Sequence, residues 1–249
     1  MQRSQVSVDG CLVSYLTAGD PTNPAAMIIH GWSAQASLFE LVGELLSNSF
    51  FVIIPDQPGH GKSDALVLAD LGRFAEIVVG IIDHLGATKV RLVGHSMGGS
   101  VAAEVARHYP ERVAKLVLVD TAGGRVRRST FGWLNVGRQK TWRSFRKGQR
   151  RQAAKVVLSF LANHLKHPTW MLRTFQMTVR CNLLEVLPNL QTEVAVLWAE
   201  NDEYFPWEPI CEALGVEPRI IKDTGHDWLI LNPPRAAIEI LMALMATEA

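Results

Sequence analysis

Apolar runs and their spacing divide the chain into alternating strands and helices. Residues 5–8 and 12–16 are short strand-like runs on either side of Asp9-Gly10, and Asp-Gly between two such runs marks a hairpin. Residues 25–30 are a continuous apolar run, the pattern of a strand covered on both faces, and the mostly apolar runs 50–55, 89–93 and 113–119 read as further strands. Residues 37–46 carry Leu38, Leu41, Val42, Leu45 and Leu46 at helical spacing. Residues 70–85 carry Leu71, Phe74, Ile77, Val78, Ile81, Ile82 and Leu85 on one face, with Gly86 to close the helix. Residues 97–108 form a third helix stopped by Pro110. This alternation predicts a mostly parallel sheet covered by helices, with right-handed crossovers.

The rhythm breaks at Thr121. Residues 153–164 and 169–187 read as helices, and Pro188 closes the segment. Strand 193–198, helix 208–214, strand 219–221 and helix 234–245 then resume the pattern. The expected layout is one α/β core, residues 1–120 and 189–249, with a helical insertion at 121–188 after the fourth parallel strand.

Gly94-His95-Ser96-Met97-Gly98 joins a strand to a helix. G-x-S-x-G in that setting is a nucleophile elbow, a strained turn that pushes the serine hydroxyl into a pocket. A serine hydroxyl is a poor nucleophile without a base beside it. Late in the chain, His226 follows the last strand and Asp202 follows the one before it. Asp120 also ends a strand, and Glu200 and Glu203 flank Asp202, so the acid is open among these on the residues alone. The loop at 56–64, Asp-Gln-Pro-Gly-His-Gly-Lys-Ser-Asp, lacks the G-x-x-x-x-G-K-[ST] spacing of a phosphate-binding loop. His164 and His167 have no further ligands at metal-binding spacing.

His30-Gly31-Trp32, Pro58-Gly59-His60-Gly61-Lys62-Ser63, the elbow and the late pair Asp202 and His226 together resemble the α/β-hydrolase family over nearly the whole chain. The resemblance implies the α/β-hydrolase fold, with the insertion as a helical lid after the sixth strand of the family's numbering. It implies a serine hydrolase in which Ser96 attacks, His226 is the base and Asp202 orients it. It places the oxyanion hole at the backbone N–H groups of Trp32 and Met97, and gives His30, His60 and His95 structural roles. No metal or organic cofactor is implied.

Charge adds a second feature. The chain carries 25 basic and 24 acidic residues, yet residues 121–184 hold 14 Lys or Arg and no acid, so that segment is +14 and the remainder −13. A dense charge run is either a solvated face or a docking surface for an anionic partner. Arg138, Arg143, Arg146 and Arg150 are the candidate contacts for an acidic carrier protein, an anionic membrane surface or a phosphorylated acyl substrate such as a CoA ester, with the acidic body of the protein itself as the internal alternative. Interleaved Trp133, Trp142 and Phe145 suit a lipid headgroup region or simple packing. No nucleic-acid reading motif is present. The arginine-rich insertion with this elbow is similar to carboxylesterases that cleave pimeloyl-carrier methyl esters, in which lid arginines bind the carrier.

The expected activity is therefore cleavage of a carboxylic ester or thioester through an acyl-enzyme. C–C bond hydrolysis and cofactor-free perhydrolysis are the alternatives on the same scaffold. A non-catalytic accessory protein that docks an anionic partner is the alternative of another class. No apolar run reaches the 18 residues of a membrane span, the first ten residues lack a signal-peptide core, and Cys11, Cys181 and Cys211 are widely spaced. These features lead us to expect a soluble, cytoplasmic protein with free thiols.

Overall fold

Asp9 and Gly10 reverse the chain with φ of 48° and 78°, the conformation of a type I′ hairpin turn. They pair β1 (Gln2–Val8) with β2 (Cys11–Ala18) from Val8↔Cys11 outward. The computed structural model describes residues 1–126, 128, 132 and 149–246. Within them the further strands are β3 (Ala25–Ile29), β4 (Phe51–Pro55), β5 (Val90–His95), β6 (Val113–Val119), β7 (Val194–Ala199) and β8 (Arg219–Ile221). They form one sheet in the order β1-β2-β4-β3-β5-β6-β7-β8. Only β1–β2 and β2–β4 pair antiparallel; every pair from β4–β3 to β7–β8 is parallel. The mostly parallel sheet expected from the apolar runs is present.

Side chains alternate across the sheet, as a period of two requires. Met27, Ile29, Leu92, Leu116 and Leu118 join the core on one face. Ala26, Ile28, Val93, Val117 and Val119 join the core on the other. The first core packs under α2 (Leu71–His84) and α3 (Met97–His108). The second packs under α1 (Glu40–Leu46) and the C-terminal helix Pro233–Met245. Asp70 caps α2 by accepting from the Arg73 N–H at 3.1 Å, and Gly86 ends it at φ 67°.

Three expectations change. The helix expected over 37–46 is a 3₁₀ turn, Ala36–Leu38, followed by α1. Phe39, Val42 and Leu46 face the core while Leu41 and Leu45 are exposed, because the break at Phe39 resets the helical phase. The helix expected to reach Leu187 ends at Arg180. There the extended Cys181 lets the chain pair with the Gly123-Gly124 segment, Leu183 N–H donating to Gly123 O at 3.1 Å. A one-turn helix at Trp228–Leu231 was not anticipated.

Among the described residues, the next full helices after β6 are α4 (Arg150–Lys166) and α5 (Pro168–Arg180). Continuing in chain order, α6 is Glu208–Leu214, α7 is Trp228–Leu231 and α8 is Pro233–Met245. Helix α4 is inside out relative to its sequence: Ala153, Ser159 and Asn163 are buried while Leu158, Leu161 and Leu165 are exposed. No helix among the described residues is long and apolar enough to cross a membrane.

The close seat of α3 on the sheet sets the most demanding packing. A Cβ on Gly98 would collide with the backbone carbonyls of Ile29 and His30, neither of which can move aside. Overpacking of this kind costs about 1–3 kcal/mol or more, and in a chain of this size 1 kcal/mol is about 2–4 °C. Gly98→Ala is expected to lower the melting temperature by about 2–12 °C, measured by differential scanning calorimetry; an unchanged midpoint would contradict this packing.

Candidate active site

Ser96 joins β5 to α3 with φ 56° and ψ −122°, a conformation that a non-glycine residue adopts only when its surroundings impose it. The surroundings are explicit. Ser96 N–H donates to Val119 O at 3.0 Å, and Ser96 O accepts from Gly99 N–H at 2.9 Å and Ala122 N–H at 3.2 Å. A Cβ on Gly94 would strike the backbone of Gly98 and Gly99, so the turn closes only with glycine at its entry. Met97 begins α3 directly behind the serine.

The late pair meets. His226 Nδ1 and Asp202 Oδ2 are 2.9 Å apart, with both side chains almost wholly buried. Asp202 Oδ1 accepts from the N–H groups of Tyr204 at 2.7 Å and Phe205 at 3.3 Å, which fixes the carboxylate before it meets the imidazole. The His226 ring lies against Tyr204, Phe205 and His95, and His95 Nε2 donates to His226 O at 2.9 Å.

Asp120, the other strand-end candidate, has a different task. Its Oδ1 accepts from Ala199 N–H at 2.7 Å and its Oδ2 from Trp228 Nε1 at 2.8 Å. It thereby ties the end of β6 to the end of β7 and to the turn after His226. Burial, and then the nearby Asp202 charge, push its carboxyl well above the usual range. Glu203 accepts from His226 N–H at 3.4 Å and Glu200 from Asp223 N–H at 2.8 Å, each through its carboxylate.

The loops beside the serine are braced by buried polar side chains. His30 donates from Nδ1 to Gly31 O at 2.8 Å and accepts at Nε2 from Gln57 N–H at 3.0 Å. His60 donates from Nδ1 to Pro58 O at 3.0 Å. Asp56 accepts from Arg3, from Ala36 N–H and from Lys62 N–H. Burial holds His30 below the ordinary imidazole range, and burial plus the His30 ring lower His60 to about 3. Both are therefore neutral loop braces. Sequence reasoning missed Ser159 and Asn163, which donate to Ser33 O at 3.1 and 3.0 Å. Their only signal is polar residues four apart inside a helix.

Ser96 and His226 line one cavity of about 140 Å³ with Gly31, Trp32, Phe160 and Phe175. Helices α4 and α5 supply Val156, Phe160, Phe175, Thr178 and Val179 to its wall. Trp32 Nε1 donates to Met171 O at 2.9 Å. Arg150 stands exposed at the start of α4, outside the cavity wall. Arg138, Arg143, Arg146, Trp133, Trp142 and Phe145 lie outside the described residues. Among the described residues, His95, Asp120 and His226 bring possible metal-ligand atoms within 4.8 Å of one another; Asp120 accepts hydrogen bonds through both oxygens, and the bonds above engage His95 through Nε2 and His226 through Nδ1. The three cysteines are free, and burial raises Cys211 to about 11.

Comparison with known proteins places this geometry in context. The family described as alpha/beta hydrolase fold matches residues 24–179. A 2-hydroxy-6-oxo-6-phenylhexa-2,4-dienoate hydrolase of Burkholderia cepacia is 40% identical over 95 residues, 37% of this chain and 32% of the relative. The dihydrolipoyllysine-residue acetyltransferase component of an acetoin cleaving system of Pseudomonas putida is 36% identical over 120 residues, 48% of this chain and 32% of the relative. The matches thus span about a third of the length of these curated relatives. Among solved structures, a thermophilic esterase from Thermogutta terrifontis superposes with a TM-score of 0.77 at 24% identity, over 99% of this chain and 100% of that one; at that identity the likeness is one of fold.

The buried histidines make stability depend on pH. An unfolded imidazole titrates near 6.5, whereas His60 in the fold does so near about 3. Between those values the unfolded chain binds the extra proton, so stability is fully present above pH 6.5 and is lost as pH falls toward 3, by up to about 1.4 kcal/mol per pH unit. Urea unfolding at pH 7 and pH 5 is expected to show a smaller loss of stability in His60→Asn than in the parent; an equal loss would contradict a neutral His60.

Proposed function

The chain belongs to the alpha/beta hydrolase fold family, and from that premise we propose that it hydrolyses a small carboxylic ester or thioester through Ser96, His226 and Asp202. The observation that carries this reading is the 2.9 Å contact between Asp202 and His226, formed on the cavity that Ser96 also lines. With Nδ1–H donating to Asp202, the basic Nε2 is the nitrogen left for the serine proton.

Ser96 Oγ attacks the carbonyl carbon as His226 Nε2 accepts its proton. The carbonyl oxygen becomes an oxyanion that takes hydrogen bonds from the N–H groups of Trp32 and Met97, a contribution of about 3–4 kcal/mol per donor in comparable sites. Collapse breaks the ester C–O bond, and imidazolium returns its proton to the leaving alkoxide. Water then repeats the sequence on the acyl-enzyme and frees Ser96. Asp202 stabilises the imidazolium without taking its proton.

The cavity bounds the acyl group. Apolar cavities near 150 Å³ hold a molecule of about benzene's size, so about 140 Å³ suits an acyl group of about six heavy atoms. Residues 121–188 serve as the lid in this reading, since α4 and α5 wall that cavity. Arg150 and Arg151 occupy the first turn of α4, which holds no acidic residue and where the helix dipole disfavours cations. An anionic group on the substrate or its carrier offsets that repulsion.

Hydrolysis of a C–C bond is the second reading, favoured by the 40% identity to a dienoate hydrolase across 95 residues. A substrate panel separates the two. Nitrophenyl acetate and butyrate are expected to turn over at least about 100-fold faster than the palmitate, because a long chain exceeds the cavity. Ser96→Ala is expected to reduce that turnover by at least about 1,000-fold with the fold intact by circular dichroism. Undiminished turnover in Ser96→Ala would remove the nucleophile from this account; turnover of a dienoate ketone alone would favour the second reading.

A further inference from the structure

The turn that carries Trp32 is held from outside, by α4. Gly31 to Ala34 is closed by Ala34 N–H donating to Gly31 O at 3.3 Å. Ser33, the third residue of the turn, has φ 61°, the left-handed value for which a type II turn ordinarily uses glycine. A serine in that region carries strain of about 1–3 kcal/mol and needs its surroundings to keep it there.

Those surroundings converge on one side chain. Asn163 Nδ2 donates to Ser33 O at 3.0 Å and to Ala34 O at 3.1 Å, and its Oδ1 accepts from Gly61 N–H at 2.9 Å. Ser159, one turn earlier, adds a bond to Ser33 O at 3.1 Å. Asn163 is 1% exposed, so its amide must be bonded where it lies, and these bonds all run from α4 to the two loops rather than within the helix. The Trp32 ring is seated on the same helices, 5.0 Å from Phe175 and 5.3 Å from His164 between centroids.

We propose that Asn163 is a positioning residue: it holds the Gly31–Ala34 turn in the conformation that presents the Trp32 N–H to the oxyanion, so the insertion sets the geometry of hydrolysis as well as covering the cavity. This rests on the reading of Trp32 as an oxyanion donor. No step of the reaction passes through Asn163 itself. Its effect is a shift in where one hydrogen-bond donor points, which affects the transition state more than the bound substrate.

The test uses Asn163→Ala, and Asn163→Asp, which keeps the acceptor for Gly61 N–H but loses both donors. Each is made alone and together with Ser33→Gly, since glycine takes a positive φ without strain. Asn163→Ala is expected to lower kcat on a short-chain ester by about 10–100-fold with KM within about two-fold, and Ser33→Gly to recover about half of that loss on a logarithmic scale. Amide exchange across residues 31–36, read by mass spectrometry, is expected to quicken in Asn163→Ala and slow again in the double variant.

That second readout follows the loop whatever reaction the site runs. If Ser96→Ala keeps its activity while exchange responds as stated, the nucleophile reading fails and the coupling of α4 to the turn stands. Unchanged exchange and unchanged kcat would overturn the proposal. So would a loss of kcat that Ser33→Gly leaves untouched, which is the mark of general destabilisation. Should Asn163→Ala fail to fold, Asn163→Asp and Ser159→Ala carry the same comparison.

Discussion

The candidate site depends on one strained turn. Ser96 sits at φ 56° and ψ −122° because Val119, Gly99 and Ala122 take up its backbone groups on either side. The strain persists because Gly94 and Gly98 let α3 approach the sheet closely enough for those bonds to form. Remove either glycine and the helix must retreat, and with it the hydroxyl. The stability of the two cores is thus what keeps one serine in a conformation it would otherwise leave.

Around that serine the fold assembles loops from the same edge of the sheet. Because β3 to β8 run parallel, the chain segments after β3, β5, β6, β7 and β8 emerge together, as in other open α/β sheets. They deliver Trp32, Ser96, Asp120, Asp202 and His226 in turn. Asp120 joins three of these segments through Ala199 and Trp228. It is a brace between the loops that carry Asp202 and His226, while Asp202 makes the contact to the imidazole. Two carboxylates at neighbouring strand ends are thereby separated by what they bond to.

The parts legible in the sequence were those with local signatures. Helices 97–108 and 208–214 and strands 113–119 and 219–221 stand at their expected bounds, because Gly or Pro punctuates the chain beside each of them. The meeting of Asp202 with His226 follows from their places after β7 and β8. Less legible was whatever depends on distant partners. The sequence predicted a helix over 153–164 but not its inward face: loops 30–34 and 57–63 present carbonyls and N–H groups there, so Ser159 and Asn163 turn inward while Leu158, Leu161 and Leu165 stay exposed. Ser33 gave no sign of its positive φ, since nothing next to it in sequence imposes one. Arg138, Arg143 and Arg146 fall outside the described residues, so the basic segment is read from its charge and from Arg150 and Arg151.

The central claim is that Ser96 carries the acyl group between the two halves of the reaction. Acid-quenching the protein during steady turnover of a short-chain ester, then mapping its peptides by mass spectrometry, tests that claim directly. The account predicts the mass of one acyl group on the peptide that contains Ser96, and its absence in Ser96→Ala. Continued turnover with an unmodified Ser96 peptide, or an acyl group on another residue, would contradict it.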